Sequence, residues 1–154
     1  MKAHLSRRYR ISASHRLHSA GLSDERNQSI YGKCNNPYGH GHNYIIQVTV
    51  KGPVDEVTGM VCNLADLDLR VQAKVIDRFD RMNLNLEECF ADTVPTTENL
   101  CIAIYHLLAE DFAHARLVSA DLDHVNLERV RVEETANNFF EYSGKGRDGS
   151  SSNR

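Results

Sequence analysis

Along residues 8–15 the chain reads Arg-Tyr-Arg-Ile-Ser-Ala-Ser-His, alternating polar and apolar side chains. That alternation predicts a strand with Tyr9, Ile11, Ala13 and His15 on one face. Residues 19–41 are polar and carry Gly and Asn, which reads as a loop, and the β-branched and aromatic run over 42–50 reads as a second strand. Residues 52–59 form a turn in this reading, after which Met60-Val61-Cys62 resumes as a strand and closes a hairpin. Leu67, Val71, Val75 and Phe79 recur at every fourth position between charged neighbours, predicting a helix over residues 64–80. A second helix starts after Pro95, with Glu98 near its positive dipole end and Leu100, Ile104, Leu108 and Phe112 on its inner side. Residues 127–135 alternate again, placing Val130, Val132 and Glu134 on one face, and Asn137-Asn138 turns the chain into a last strand over 139–142. The order β-β-β-α-α-β-β predicts an α+β domain, an antiparallel sheet with two helices on one face.

The chain has 154 residues, enough for one domain with a real core and short for two. We read residues 1–143 as that single domain, and residues 144–154, which are Gly, Ser and charge without apolar anchors, as a disordered tail. Against 18 Lys and Arg stand 21 Asp and Glu, so the net charge of -3 gives no electrostatic reason to expect nucleic acid or an acidic membrane surface. No apolar run matches a signal peptide or a membrane span, which predicts a cytoplasmic protein. Cys34, Cys62, Cys89 and Cys101 form no CxxC pair and read as free thiols.

Gly39-His40-Gly41-His42 puts two imidazoles at i and i+2, on the same side of an extended backbone, with glycines that let the chain approach closely. Spacing alone admits two readings, a chelating pair and a pair of hydrogen-bonded surface histidines. His15, at the inward end of the first strand, supplies a third nitrogen and leaves a fourth position open, the pattern of catalytic zinc. Imidazoles without a thiolate also admit copper, iron or nickel. His4, His18, His106, His114 and His124 have no comparable partner and read as solvated or structural. Cys34 lies six residues before His40, beside Lys33 in a loop and near the expected dication; such a thiol is expected to ionise readily and could take a proton from carbon.

Five separated segments carry a family resemblance: Ser12-Ala13-Ser14-His15-Arg16-Leu17; Gly32-Lys33-Cys34-Asn35-Asn36-Pro37 with Gly39-His40-Gly41-His42-Asn43-Tyr44; Asn63-Leu64-Ala65-Asp66-Leu67; Thr96-Thr97-Glu98-Asn99; and Glu134-Thr135-Ala136-Asn137-Asn138. Together they resemble 6-pyruvoyltetrahydropterin synthase over residues 9–142. The gap between Cys34 and His40 is similar to that of this family rather than to the shorter one of the 6-carboxytetrahydropterin synthases. The resemblance implies a tunnelling fold, with subunits pooling their sheets into a barrel, stacking as a hexamer and placing active sites at subunit interfaces. It implies a lyase that acts on 7,8-dihydroneopterin triphosphate and releases triphosphate. It further implies zinc on His15, His40 and His42, Cys34 as base, Glu134 as pterin anchor, and Thr96, Thr97 and Glu98 as a second wall of the pterin pocket. A carboxylate at Glu134 is chemically suited to accept two hydrogen bonds from the N3–H and 2-amino edge of a pterin.

The family pairs its cysteine with an aspartate–histidine couple, where this chain reads Asp80-Arg81. A guanidinium stays protonated at neutral pH and does not shuttle protons as imidazole does. Three functions therefore stand at this point: the synthase itself, another pterin side-chain lyase such as one forming 6-carboxytetrahydropterin, and a zinc- and pterin-binding protein impaired in turnover. Arg81 could instead pair with Asp80 or grip triphosphate, with His124 a candidate to supply the proton.

Overall fold

The structure is a computed structural model that describes residues 1–118 and 124–144. Four strands lie in the order β1-β2-β3-β4, all neighbours antiparallel: β1 (Lys2–His15), β2 (His40–Pro53), β3 (Asn126–Thr135) and β4 (Asn138–Tyr142). Helix α1 (Asp24–Tyr31) and a 3-10 turn (Gly32–Asn35) join β1 to β2. Between β2 and β3 run α2 (Leu64–Val71), a π turn (Gln72–Ile76), the short α3 (Asp77–Phe79) and the long α4 (Thr97–Val118). The α+β reading is correct, with the expected first helix running as one path through α2, the π turn and α3. Residues 145–154, where most of the expected disordered tail falls, lie outside the described residues.

Both helical stripes point where the periodicity put them. Leu67, Val71, Val75 and Phe79, and Leu100, Ile104, Leu108 and Phe112, are buried against Ile11, Tyr44, Ile46, Val48, Val130 and Val132 of the sheet. A spacing of four overshoots the α-helical turn of about 3.6 residues, so a strict i+4 stripe drifts around the helix. The wider π turn between Val71 and Phe79 takes up that drift and keeps Val75 and Phe79 facing the sheet. Among the described residues, no helix is long and apolar enough to cross a membrane.

Two expectations about local structure are corrected. Met60-Val61-Cys62 is not a strand: β2 already has β1 on one side and β3 on the other, so no edge is left for a hairpin partner. Residues 54–63 instead form a compact loop, in which the Asp55 carboxylate accepts from the backbone N–H groups of Val57 (3.1 Å) and Thr58 (2.7 Å). Residues 19–41 are not all loop, because α1 forms without an apolar stripe. Its Ser23 cap accepts from the Arg26 N–H, and the buried Asn27 amide donates to the carbonyls of Ser19, Leu22 and Ser23.

The outer edge of β1 is partly covered by the segment following α3. Ser12 N–H donates to the Asp80 carboxylate (2.8 Å), Arg81 N–H to the Ser12 carbonyl, and Ser14 N–H to the Met82 carbonyl (3.0 Å). Arg81 turns this corner with φ 62°, in the left-handed region that L side chains rarely occupy.

Candidate metal centre and substrate cavity

Strand register builds the centre. His15 closes β1 directly opposite His40, and His42 lies opposite Ala13 two residues further along β2, so all three imidazoles emerge on the face that carries the core. Their rings meet edge to face, with centroids 4.7–5.1 Å apart, and the Nε2 atoms of His15 and His40 are 3.3 Å apart. One ligand atom from each of the three lies within 4.8 Å of the others, the one such group among the described residues. Gly39, at φ 70°, is required here: a Cβ would stand 2.8 Å from the His15 carbonyl oxygen.

The tautomer of His15 is fixed from behind. Its Nδ1–H donates to the Pro95 carbonyl at 2.7 Å, which leaves Nε2 as the bare nitrogen facing the cluster. Burial pushes the His15 pKa down, partly offset by the Pro95 bond and lowered further by His40 and His42. Burial likewise lowers His42, against the opposing pull of Glu134. Both imidazoles are therefore held neutral, the form that binds a cation. The Nε2 of His42 is buried and has no hydrogen-bond partner, which a metal ligand needs and a merely structural histidine does not tolerate well. This donor set fits a metal ion.

Next to the centre opens a cavity of about 430 Å³ whose walls include Leu17, Cys34, Thr96, Thr97, Glu98 and Glu134. Glu134 enters it because strand alternation puts it on the same face as the buried Val130 and Val132, and the β3–β4 register shifts beside it between Glu133 and Thr135. Its Oε1 lies 3.5 Å from His42 Nε2, and its Oε2 accepts from Asn138 Nδ2 at 3.0 Å. Burial alone would raise its pKa, but hydrogen bonds from Asn138 and Thr97, with His42 and His15 nearby, outweigh it and hold the carboxyl below its ordinary value. Thr97 is buried and Glu98 exposed at the start of α4, while Thr96 caps that helix by accepting from the Asn99 N–H.

Cys34 shares the cavity, and the ready ionisation expected of it near a dication concerns the metal-loaded state; in the metal-free chain its surroundings push the other way. Burial pushes its pKa up, and the Glu134 charge pushes it further the same way. Asp80 is not among the residues lining this cavity; its carboxylate is engaged at the β1 edge. Arg81 is 89 % exposed in its side chain, 3.7 Å from the Asp80 carboxylate, and lines a separate cleft of about 480 Å³ with Ser12, Asn43 and Asn83. His124 packs its carbonyl against Gly52, at the end of β2 opposite to His40, and so does not face the cavity. Sequence reasoning assigns no role in the site to Asn138, read as a turn residue within a segment of the resemblance, nor to the Pro95 carbonyl, which carries no side-chain signal.

The family model described as 6-pyruvoyl tetrahydropterin synthase matches residues 4–145. A relative from Homo sapiens, 6-pyruvoyl tetrahydrobiopterin synthase, is 44% identical over 145 residues, covering 94% of this chain and 93% of that protein. The enzyme of the same name from Poecilia reticulata is 44% identical over 143 residues, covering 92% of this chain and 90% of its own. The solved structure of Caenorhabditis elegans 6-pyruvoyl tetrahydropterin synthase superposes with a TM-score of 0.81 at 39% identity, covering 94% of this chain and 97% of that one. Matches of this extent, on a chain with the same sheet-and-helix architecture, place it in the 6-pyruvoyl tetrahydropterin synthase family.

Proposed function

We propose that this chain is a zinc-dependent lyase that converts 7,8-dihydroneopterin triphosphate to 6-pyruvoyl tetrahydropterin with loss of triphosphate. The observation that carries this reading is the convergence of Cys34, Thr97 and an ionised Glu134 on one cavity, with the unpartnered His42 Nε2 3.5 Å from the Glu134 carboxylate.

Glu134 accepts from the N3–H and 2-amino edge of the pterin, two donors matched to a carboxylate that Asn138 and Thr97 already orient. Thr96 and Glu98 complete the wall around it. Zinc, bound through His15, His40 and His42, would supply Lewis-acid polarisation that acidifies the C–H bonds beside the side-chain oxygens. Cys34 takes the proton from carbon once its thiol is ionised, and triphosphate departs with the electron pair of its C–O bond. The side chain becomes two ketones as the ring is reduced, so no external oxidant is needed.

The subunits form a hexamer in this reading, pooling sheets through β1 and β4, which are the two edges of the sheet. Asp80, carried on the outer β1 edge and outside its own chain's cavity, then serves a cavity at the subunit interface. Four free cysteines accord with a cytoplasmic enzyme. The test is triphosphate release from 7,8-dihydroneopterin triphosphate by zinc-loaded and chelator-treated protein. Release confined to the loaded protein supports the reading, and equal release by both, or none by either, rejects it.

A further inference from the structure

Cys34 is tied to the segment that follows His15 by hydrogen bonds running in both directions. Leu17 N–H donates to the Cys34 carbonyl (2.8 Å), and Arg16 Nε donates to the Asn35 carbonyl (3.1 Å). The Asn35 amide returns the link, donating through Nδ2 to the Leu17 carbonyl (2.8 Å) and to His18 Nδ1 (3.0 Å). An amide nitrogen only donates, so His18 Nδ1 is the acceptor and its proton sits on Nε2. Asn35 is 7% exposed, and its removal would take from the half-buried Leu17 carbonyl its 2.8 Å donor. Arg16 is braced from its other side, its N–H donating to Asn85 Oδ1 (2.7 Å) and its carbonyl accepting from Asn85 Nδ2 (2.9 Å).

These bonds join the turn that carries the thiol to the chain that leaves the metal centre. Arg16 directly follows His15, and Leu17 and Cys34 line the same cavity. Register with His40 fixes where His15 stands, but Cys34 belongs to no strand and sits in the 3-10 turn Gly32–Asn35. The turn from residue 33 to residue 39 ties it to His40 on one side, through Asn36 N–H to the Lys33 carbonyl (3.3 Å) and Gly39 N–H to the Asn36 carbonyl (2.8 Å), and the clasp ties it to residues 16 and 17 on the other. We propose that Asn35, braced by Arg16, is a positioning residue whose amide clasp fixes the Cys34 thiol relative to the imidazole cluster, and with it the reach of the base to the substrate carbon. This rests on the reading of Cys34 as the base.

The test compares zinc-loaded Asn35→Ala, Cys34→Ala and the double variant by single-turnover rate, KM, zinc content and alkylation of Cys34 located by peptide mass. A misplaced base predicts a roughly ten- to hundredfold loss of rate in Asn35→Ala, with KM and zinc content kept and Cys34 alkylation altered. In the Cys34→Ala background the same change should cost nothing more, because the thiol it positions is gone. A parental rate in Asn35→Ala beside an inactive Cys34→Ala overturns the positioning role alone. Parental rate in Cys34→Ala overturns the base reading and the positioning role with it. Loss of zinc together with raised KM, or a further loss in the double variant, shows a general structural role and also overturns the proposal. If Asn35→Ala does not fold, Arg16→Lys, which keeps the charge but lacks the Nε–H donor, gives the same readouts.

Discussion

His15 donates its Nδ1–H to the Pro95 carbonyl at 2.7 Å, so the most deeply buried imidazole of the metal centre is held by the residue just before Thr96 in the cavity wall. The cluster is thus oriented before any ion arrives. We expect one zinc per chain, and a thermal midpoint that rises on zinc addition by an amount equivalent to about 2.7 kcal/mol at a hundredfold excess over the dissociation constant. His40→Ala and His42→Ala should each abolish tight binding and that rise. Full occupancy in both variants, measured by metal analysis, would reject the centre.

Burial lowers the pKa of His15 and His42 in the metal-free fold, and this sets the sign of a pH effect. As pH falls below the ordinary imidazole value of about 6.5, an unfolded chain takes up protons that the folded chain refuses. The stability contribution is therefore full above that value and is lost as pH falls toward the depressed folded pKa values. Thermal midpoints of metal-free protein between pH 7.5 and 5 should decline, and His15→Gln should flatten the decline. A midpoint that rises toward acid would contradict the assignment.

Burial and the Glu134 charge keep the Cys34 thiol protonated in the metal-free chain. A bound cation should reverse that balance, because positive charge nearby favours the thiolate. Alkylation of Cys34 near pH 7 should accelerate on zinc loading, and Cys34→Ala should keep zinc and pterin binding while losing about a hundredfold or more in turnover. An unchanged alkylation rate on loading would remove the expected coupling between thiol and centre.

Arg81 stands where the resemblance leads one to expect a histidine, with an exposed side chain and a left-handed backbone. If the missing imidazole limits the reaction, Arg81→His should raise kcat by about tenfold or more. If the guanidinium grips triphosphate, the same change should leave kcat alone and raise KM. Steady-state kinetics separate the two, and no change in either constant would place Arg81 outside the site.

The helical stripes and the three histidines were legible because their information is local: an i+4 repeat, or an HxH on a strand paired with the end of another. Helix α1 was not legible, since the Asn27 side chain, rather than an apolar face, ties it to the preceding turn. Met60-Val61-Cys62 misled because strand propensity carries no knowledge that β3 occupies the edge of β2. The same limit applies to chemistry. The direction of the Cys34 pKa depends on burial in the folded chain and then on Glu134, brought beside it only by the sheet, and the place of Asp80 depends on a bond to Ser12 across the β1 edge.

The most direct measurement is the mass of the product formed when zinc-loaded protein is incubated with 7,8-dihydroneopterin triphosphate, beside the His40→Ala variant as control. The loaded protein should yield 6-pyruvoyl tetrahydropterin and free triphosphate, and the variant unchanged substrate. Recovery of intact substrate from the loaded protein, or of 6-carboxytetrahydropterin in place of the diketone, would contradict the proposed reaction.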